Sequence, residues 1–339
     1  MTRWIKRGIG TLVLLLLITM IGGSIAIWPM QHLPRTTIHI EQPEHVERAA
    51  DTLQNPASTP LMAGIAERDI TAPIGIPKMG YSAWAREADG FRTRLKARAF
   101  YLKADGREPV VILQADLPAS SLVLRHKVAE VVAKASDIPF GAISIHATHT
   151  HSGPGQYFES DVYNTFGSNK PGFDPEVFSF LVRQMSDAVI EAWQTRRPAR
   201  IAVGETEIYG ATKNRSIGAY VHNNNVTDKR TDDAAALRAV NPRITLVRID
   251  AQDSDANWKP LGAFSTFAIH GTGIPPFTHP YHGDVWAFIE RDLETRIANH
   301  YHPSWKPIHG SFEANHGDNN PNYHAGLRGD SETRRIGQM

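Results

Sequence analysis

A long uncharged segment stands at the start of the chain, ahead of shorter alternating runs. Residues Ile9 to Trp28 carry no charge, and about 20 apolar residues are enough for a helix to cross a bilayer. Three cations lie in residues 1–8, and the next charge is Arg35, which predicts a cytoplasmic N-terminus. Residues 1–29 are therefore a membrane anchor or a signal peptide. The length favours the anchor, whereas Ser24-Ile25-Ala26 is typical of a cleavage site. Either interpretation places the remainder on the extracytoplasmic or periplasmic side, membrane-anchored or secreted.

The rest of the chain divides into a connecting segment and one domain. Residues 30–60 contain scattered Pro, Glu and Thr and indicate a linker, and residues 61–339 form the domain. Pro109–Ala115 is a nearly continuous apolar run, as expected of a strand buried on both faces. Leu117–Ser136 has helical spacing, and Phe140–Ala147 reads as a second strand. This strand–helix–strand order predicts two parallel neighbours.

Alternating elements continue to the end of the domain. Asp174 is a good N-cap and Pro175 suits the first helical position, so a helix should run to about Thr195. A second helix is expected from about Asp284 to Ala298. Further strands are predicted at Ala199–Ile208, Arg243–Asp250, Leu261–Ile269 and Ile308–Ala314. The pattern indicates an α/β fold with mixed α+β layers, in which central mixed sheets are flanked by helices. Residues 152–173 and 210–242 are long for connections, and long loops are usually functional or disordered.

The amino-acid composition limits the kinds of functional site that this chain can form. The 339 residues include no Cys and 16 His, with a formal net charge of +1. The absence of Cys excludes a disulfide scaffold, a thiolate metal site and a cysteine nucleophile. A charge so close to zero argues against a nucleic-acid partner. Histidine is the commonest protein metal ligand, so its abundance points to a metal site built without sulfur.

Two histidines stand where a predicted strand ends. Residues two apart in a strand point the same way, so His149 and His151 are expected to share a face with Ile143, Ile145 and Ala147. Ser-Gly-Pro-Gly follows at 152–155 and turns the chain. Ligands in open α/β sheets bind beyond the carboxyl ends of strands, so one or both imidazoles could bind zinc. The alternative is a pair of structural histidines in a loop.

Three further segments carry candidate chemistry, each with a simpler alternative. His270 ends an apolar run and suits a ligand, although a capped turn histidine is also consistent. Asn315–Asn322 again follows a predicted strand, but its Gly, Asn and Pro are common in turns. Arg215 lies in a long loop, where an arginine could bind an oxyanion or remain a surface residue.

The same segments, in the same order, resemble a known family over about residues 63–322. The matching segments are Ala63-Gly64-Ile65, Asp69-Ile70-Thr71, Met79-Gly80-Tyr81, Arg94–Phe100, Gln114-Ala115-Asp116, Thr148–Gly155, Asn214-Arg215-Ser216 with Ala219-Tyr220, and Phe267–His270. They resemble the neutral/alkaline non-lysosomal ceramidases, and Thr148–Gly155 is the most specific match.

The resemblance implies a zinc-dependent amidohydrolase that cleaves the N-acyl bond of ceramide to sphingosine and a fatty acid. It implies Zn²⁺ as the cofactor, with His149 and His270 as metal ligands. His151 would hydrogen-bond or transfer protons beside the metal, and Arg215 would stabilise negative charge on the scissile carbonyl. The implied partners are a ceramide-like lipid and a membrane surface, with no nucleic acid; the oligomeric state is left open.

Two departures from the family pattern matter. The family's motif NxGDxSPN has a functional serine where this chain has Asn320, whose amide can donate to an oxyanion but cannot act as that nucleophile. The family's remaining zinc ligands, a Glu and a Tyr, lie farther downstream, so the domain is expected to be incomplete at its C-terminus. The histidines and the carboxylate that could substitute are His279, His282, Asp284, His316 and His324.

These departures leave two alternatives to the ceramidase-type hydrolase. One is a truncated or non-catalytic homologue that binds lipid. The other is a zinc hydrolase of another N-acyl substrate.

Overall fold

An eight-stranded sheet organises the computed structural model, which describes residues 3–31, 36–42, 61–324 and 328–339. The α-helices in these ranges are α1 (Arg3–Gln31), α2 (Leu122–Ala135), α3 (Asp161–Phe166), α4 (Pro175–Gln194), α5 (Ile217–Tyr220), α6 (Asp233–Arg238), α7 (Asp284–Tyr301) and α8 (Asp330–Gly337). The strands are β1 (Leu61–Asp69), β2 (Lys78–Met79), β3 (Lys96–Ala104), β4 (Val110–Ala115), β5 (Ile143–Ala147), β6 (Gly153–Pro154), β7 (Arg197–Glu207), β8 (Thr212–Asn214), β9 (Arg243–Gln252), β10 (Trp258–Phe267), β11 (Ile308–Glu313) and β12 (Asn319–Pro321).

The large sheet is mixed. Its strand order is β11-β10-β9-β7-β1-β3-β4-β5. The outer pairs β10–β11 and β4–β5 are parallel, and the pairs between them are antiparallel. The parallel β4–β5 pair is joined through α2, which confirms the predicted strand–helix–strand unit. Two small antiparallel pairs, β2–β6 and β8–β12, lie beside the large sheet.

Helices pack on both faces of the sheet, which confirms the α/β class with mixed layers. Helix α4 packs on β1 and β3 and also contacts α2. On the other face, α7 contacts β10 and β11. Strand β3 contributes side chains to the cores on both faces of the sheet. Ala97, Ala99 and Tyr101 pack in the core under α2 and α4. Phe100 packs against Phe312 on the opposite face.

A buried arginine joins the strands to α7. Arg98 in β3 is 5% exposed, and its Nη2 lies 2.8 Å from Glu290 Oε2 of α7. Its Nη1 is 3.4 Å from Asp116 Oδ2, at the end of β4. The Asp116 oxygen also accepts from the backbone N–H of Lys96 at 2.8 Å. Buried charges are stable only when paired in this way, so the network secures the segment that leads from β4 toward the site.

The helix and strand predictions are largely confirmed, with local corrections. Asp174 caps α4 by accepting from two backbone N–H groups, as expected. Helix α2 begins at Leu122 rather than Leu117, because Ser121 is its N-cap and accepts from the Leu124 N–H. Local sequence patterns did not predict β1 and β3 of the large sheet, the short strands β2, β6, β8 and β12, or the helices α3, α5, α6 and α8. In β3 the buried Arg98 interrupts the apolar pattern that marks a strand.

The N-terminal segment forms the expected helix. Residues Arg7–Ile25 of α1 are long and apolar enough to cross a membrane, and none of that window is buried. Much of the predicted linker, residues 32–35 and 43–60, lies outside the described residues. Within residues 36–42, Glu41 pairs with Lys134 of α2 at 2.6 Å. The short elements β6 and α3 occupy part of the long segment 152–173, and β8, α5 and α6 occupy part of 210–242.

Curvature brings opposite edges of the sheet together. Strands β5 and β11 stand at the two ends of the strand order, yet they contact each other. His146 of β5 meets the Phe312 ring of β11 at 5.3 Å between centroids. The segments that follow β5, β10 and β11 therefore leave the sheet side by side, and the candidate site is built from them.

Candidate metal centre

Four imidazoles converge beyond the ends of β5, β10 and β11. The ring centroids of His149 and His270 lie 4.6 Å apart, and His316 is 4.8 Å from His149 and 5.0 Å from His270. One ring nitrogen from each of these three lies within 4.8 Å of the others. His151 completes the cluster, with its Nε2 3.2 Å from His149 Nε2 and 3.1 Å from His270 Nε2.

A turn, and not strand alternation, brings His149 and His151 together. Strand β5 ends at Ala147, and His149 has a left-handed backbone with φ 56°. The expectation that both histidines continue the apolar face of the strand is therefore wrong, although their rings do meet. The Nδ1–H of His149 donates to the carbonyl oxygen of Pro118 at 2.5 Å. This bond leaves Nε2 free to face the cluster.

Backbone contacts hold the His270 segment against the His149 turn. His151 N–H donates to the Gly271 carbonyl at 3.0 Å. Gly271 has no room for a side chain, since a Cβ there would overlap the His149 carbonyl oxygen. On its other side, His270 N–H donates to the Asn319 carbonyl at 2.8 Å. Close backbone approach thus sets the separation of His149 from His270.

His316 enters from the loop after β11. Its Nδ1 lies 2.9 Å from Glu313 Oε2 and 2.9 Å from the Ala314 carbonyl oxygen. Glu313 is itself largely buried, with 8% of its side chain exposed. The loop is tied back because Ala314 N–H donates to the Phe267 carbonyl at 3.0 Å and Asn319 N–H to the His316 carbonyl at 2.8 Å.

Burial keeps most of the cluster neutral. It lowers the pKa of His149, and together with the neighbouring histidines it lowers the pKa of His151 to about 2 and of His270 to about 3. Burial opposes charge on His316 as well, but the adjacent carboxyl group of Glu313 raises the pKa of His316. Burial raises the pKa of Glu313 to about 8. Neutral imidazoles offer lone pairs, so this donor set fits a metal ion.

Arg215 and Asn320 lie together at the edge of the cluster. Strand β8 pairs with β12, and this pairing sets Arg215 against the 315–322 loop. Arg215 Nη2–H donates to the Gly317 carbonyl at 2.7 Å, and its Nη1–H to Asn320 Oδ1 at 3.2 Å. Thr272 Oγ1–H donates to the same Asn320 oxygen at 3.3 Å. The structure therefore brings together the five residues to which the resemblance assigns a role or a functional position, namely His149, His151, Arg215, His270 and Asn320.

The other potential ligands lie elsewhere. The His282 ring is occupied, because its Nε2 is 3.2 Å from Asp330 and its Nδ1 accepts from the Asp284 N–H at 2.8 Å. Asp284 accepts from the backbone N–H groups of Gly273 and Ile274. His279 faces Asp89 with half of its side chain exposed. Within residues 61–324 and 328–339, one set of three side chains has its potential ligand atoms close enough together to hold a metal ion. This set is His149, His270 and His316.

Two residues at the site, Tyr81 and Glu313, were given no role in the sequence analysis. Tyr81 packs edge-on against His151 with ring centroids 4.7 Å apart, and its hydroxyl donates to the Ile274 carbonyl at 2.6 Å. Glu313 is the last residue of β11. Its position at a strand end was the available signal, since strand ends point to ligand sites.

Known proteins are similar to this region in sequence and in fold. A family model described as neutral/alkaline non-lysosomal ceramidase, N-terminal, matches residues 61–334. A neutral ceramidase of Mycobacterium tuberculosis is 30% identical over 254 residues, which are 72% of this chain and 37% of the relative. Neutral ceramidase 1 of Arabidopsis thaliana is 30% identical over 236 residues, covering 69% of this chain and 29% of the relative.

A solved structure shows the same fold. The crystal structure of neutral ceramidase from Pseudomonas aeruginosa matches with a TM-score of 0.71 at 23% identity, covering 83% of this chain and 43% of that one. The chain spans about a third of the length of the curated relatives named above. The match over residues 61–334, together with the shared fold, shows that the chain belongs to the neutral/alkaline non-lysosomal ceramidase family.

Proposed function

We propose that this protein is a zinc-dependent amidohydrolase that cleaves the N-acyl bond of ceramide. Water adds across the amide, and the products are sphingosine and a fatty acid. The observation that carries the proposal is the convergence of His149, His151 and His270 with Arg215 and Asn320 in one site. The names of the relatives, which are neutral ceramidases, support the choice of substrate.

His149 and His270 are the proposed Zn²⁺ ligands. When bound, zinc supplies a polarised amide carbonyl and an acidified water. The bond from His149 Nδ1–H to Pro118 fixes the ring orientation, as outer partners of metal ligands commonly do. His151, with its Nε2 beside both ligand nitrogens, is the proposed hydrogen-bonding or proton-transfer group.

Arg215 and Asn320 form the proposed oxyanion-binding pair. The Arg215 guanidinium is held by Gly317 and Asn320, so its charge is preorganised toward developing negative charge on the scissile oxygen. The Asn320 oxygen already accepts from Arg215 and Thr272. Its Nδ2–H₂ group is therefore the part available to donate to an oxyanion.

The N-terminal helix is the observation that supports a proposal about where this chemistry takes place. We propose that residues 1–29 are a membrane anchor or signal peptide, residues 30–60 a linker and residues 61–339 the catalytic domain. The domain is then membrane-anchored or secreted, on the extracytoplasmic or periplasmic side. The apolar, unburied window of α1 supports this arrangement, which suits a lipid substrate.

Hydrolysis of an N-acylsphingosine by the purified full chain, with Zn²⁺ supplied, tests the proposal. Arg215→Ala should lower kcat by about 10²–10³-fold, the usual effect of removing one oxyanion donor. His270→Ala should lose activity and bound zinc together. His279→Ala is the matched histidine control, since that side chain is half exposed and outside the cluster. A wild-type chain that binds zinc but does not turn over the lipid would contradict the proposal.

Asn320 supports one second candidate, a lipid-binding member without turnover. An amide replaces the family's functional serine, and Arg215 already holds that amide in place. The Asn320→Ser variant separates the two functions. If the wild type is inactive and the serine variant hydrolyses N-acylsphingosine, lipid binding is the better description. An active wild type supports the amidohydrolase.

A further inference from the structure

We propose that His316 is a third metal ligand of this chain and that Glu313 is the residue that positions it. The inference rests on the metal dependence of the proposed function, and it assigns a ligand that the family motif does not. In NxGDxSPN the residue after the first Asn is open, and here it is His316.

The position of the His316 ring supports ligation. Its centroid is 4.8 Å from that of His149 and 5.0 Å from that of His270, similar to the 4.6 Å between the latter two. One nitrogen of each ring lies within 4.8 Å of the other two. Three imidazoles at these separations can surround a single ion and leave a fourth position open, as in catalytic zinc sites with three histidines.

The partners of His316 fix which nitrogen faces the site. Nδ1 lies 2.9 Å from both Glu313 Oε2 and the Ala314 carbonyl oxygen. Two acceptors on one side favour the tautomer with its proton on Nδ1, and the Nε2 lone pair is then free. His149 is oriented in the same way by the Pro118 carbonyl.

Glu313 has the position of an outer carboxylate partner. Metal-bound histidines commonly donate their second N–H to a carboxylate, and this bond holds the ring. Glu313 is the last residue of β11, so the sheet holds its backbone. The Glu313 side chain is buried beside His316, as expected of a residue that positions a ligand and not of a surface ion pair.

Metal affinity of the full 339-residue chain in detergent, measured by chelator competition with Zn²⁺, is the primary test. We expect one Zn²⁺ per wild-type chain. Glu313→Gln should weaken binding by about 10–100-fold, the usual effect of losing an outer partner, and His316→Ala should weaken it more. His279→Ala should bind as the wild type does. Far-UV circular dichroism of the metal-free variants checks that they fold.

Substitution with cysteine gives a second readout, because the chain has no native Cys. In Co²⁺-loaded His316→Cys, we expect a thiolate-to-cobalt charge-transfer absorption. The same absorption should be missing from Co²⁺-loaded His279→Cys. This spectrum reports ligation at residue 316 even where His316→Ala folds poorly.

The outcomes separate this inference from the proposed function. If His270→Ala loses zinc but His316→Ala keeps wild-type affinity, and His316→Cys shows no charge-transfer band, His316 is not a ligand and the family-type site stands. If the wild type binds no zinc, both proposals fail. If His316→Ala loses zinc but Glu313→Gln does not, the ligand is supported and the positioning role is wrong.

Discussion

Gly271→Ala tests whether close backbone approach sets the spacing of the metal centre. A Cβ at residue 271 would overlap the His149 carbonyl oxygen and lie 2.7 Å from the His149 carbonyl carbon and 2.9 Å from Thr150 Cα. Ordinary contacts of a Cβ begin at 3.4 Å. These neighbours are backbone atoms and cannot rotate away, so the two segments must separate by roughly 1 Å to restore ordinary packing.

The separation has two costs of different kinds. Overpacking in a buried region destabilises by about 1–3 kcal/mol. A displacement of about 1 Å in a catalytic group can lower activity by about 10²-fold. Because the shift would move His149 relative to His270, we expect zinc affinity and turnover to fall together, beyond what the loss of stability explains.

Two glycine controls isolate the effect. At Gly262, in the middle of β10, an added Cβ would overlap the Ile308 carbonyl oxygen, which is an equally close backbone contact away from the cluster. Gly262→Ala should lower thermal stability with little change in zinc affinity. At Gly204 nothing lies within 4 Å of the added Cβ, so Gly204→Ala should change neither property.

Thermal unfolding and chelator competition, measured on all three variants, decide the question. If Gly271→Ala binds zinc with wild-type affinity while its melting temperature falls as in Gly262→Ala, the backbone contact affects folding alone. The reasoning would then be refuted.

Three further predictions address the scaffold. Arg98→Met leaves the carboxylates of Glu290 and Asp116 buried without their cation, so chemical denaturation should show that the free energy of unfolding falls by about 3–5 kcal/mol. A fall below about 1 kcal/mol would contradict the role assigned to the network. Burial lowers the pKa of Lys78 from 10.5 to about 8, and the unfolded chain keeps that proton to higher pH. The free energy of unfolding should therefore rise between about pH 8 and 10.5 in the wild type, and this contribution should be missing in Lys78→Met. If residues 1–29 are an anchor, the expressed protein floats with membranes and removal of residues 1–31 should abolish that flotation; unchanged flotation would show that α1 is not the anchor.

Local sequence patterns predicted six of the eight strands of the large sheet and the helices α1, α2, α4 and α7, because those patterns report burial along one segment. The apolar run that ends at Ala115, the Asp174 cap and the apolar window of α1 each correspond to an observed element. The same rules missed β3, since Arg98 stands on a buried face. Its charge is stabilised by Glu290 from α7, and a local pattern contains no information about a partner so distant in sequence.

By itself, the sequence determined the fold class and the membrane-type helix, because both follow from the order and length of apolar runs. It also determined the His149, His151, Arg215 and His270 candidates, since these rest on short motifs. The tertiary structure decided which remaining histidine joins them. Motif spacing does not distinguish His279, His282, His316 and His324, because a metal site is defined by distances between segments far apart in the chain. The curvature that places β11 beside β5 brings His316 into the cluster, whereas the hydrogen bonds to Asp330 and from the Asp284 N–H engage His282 elsewhere.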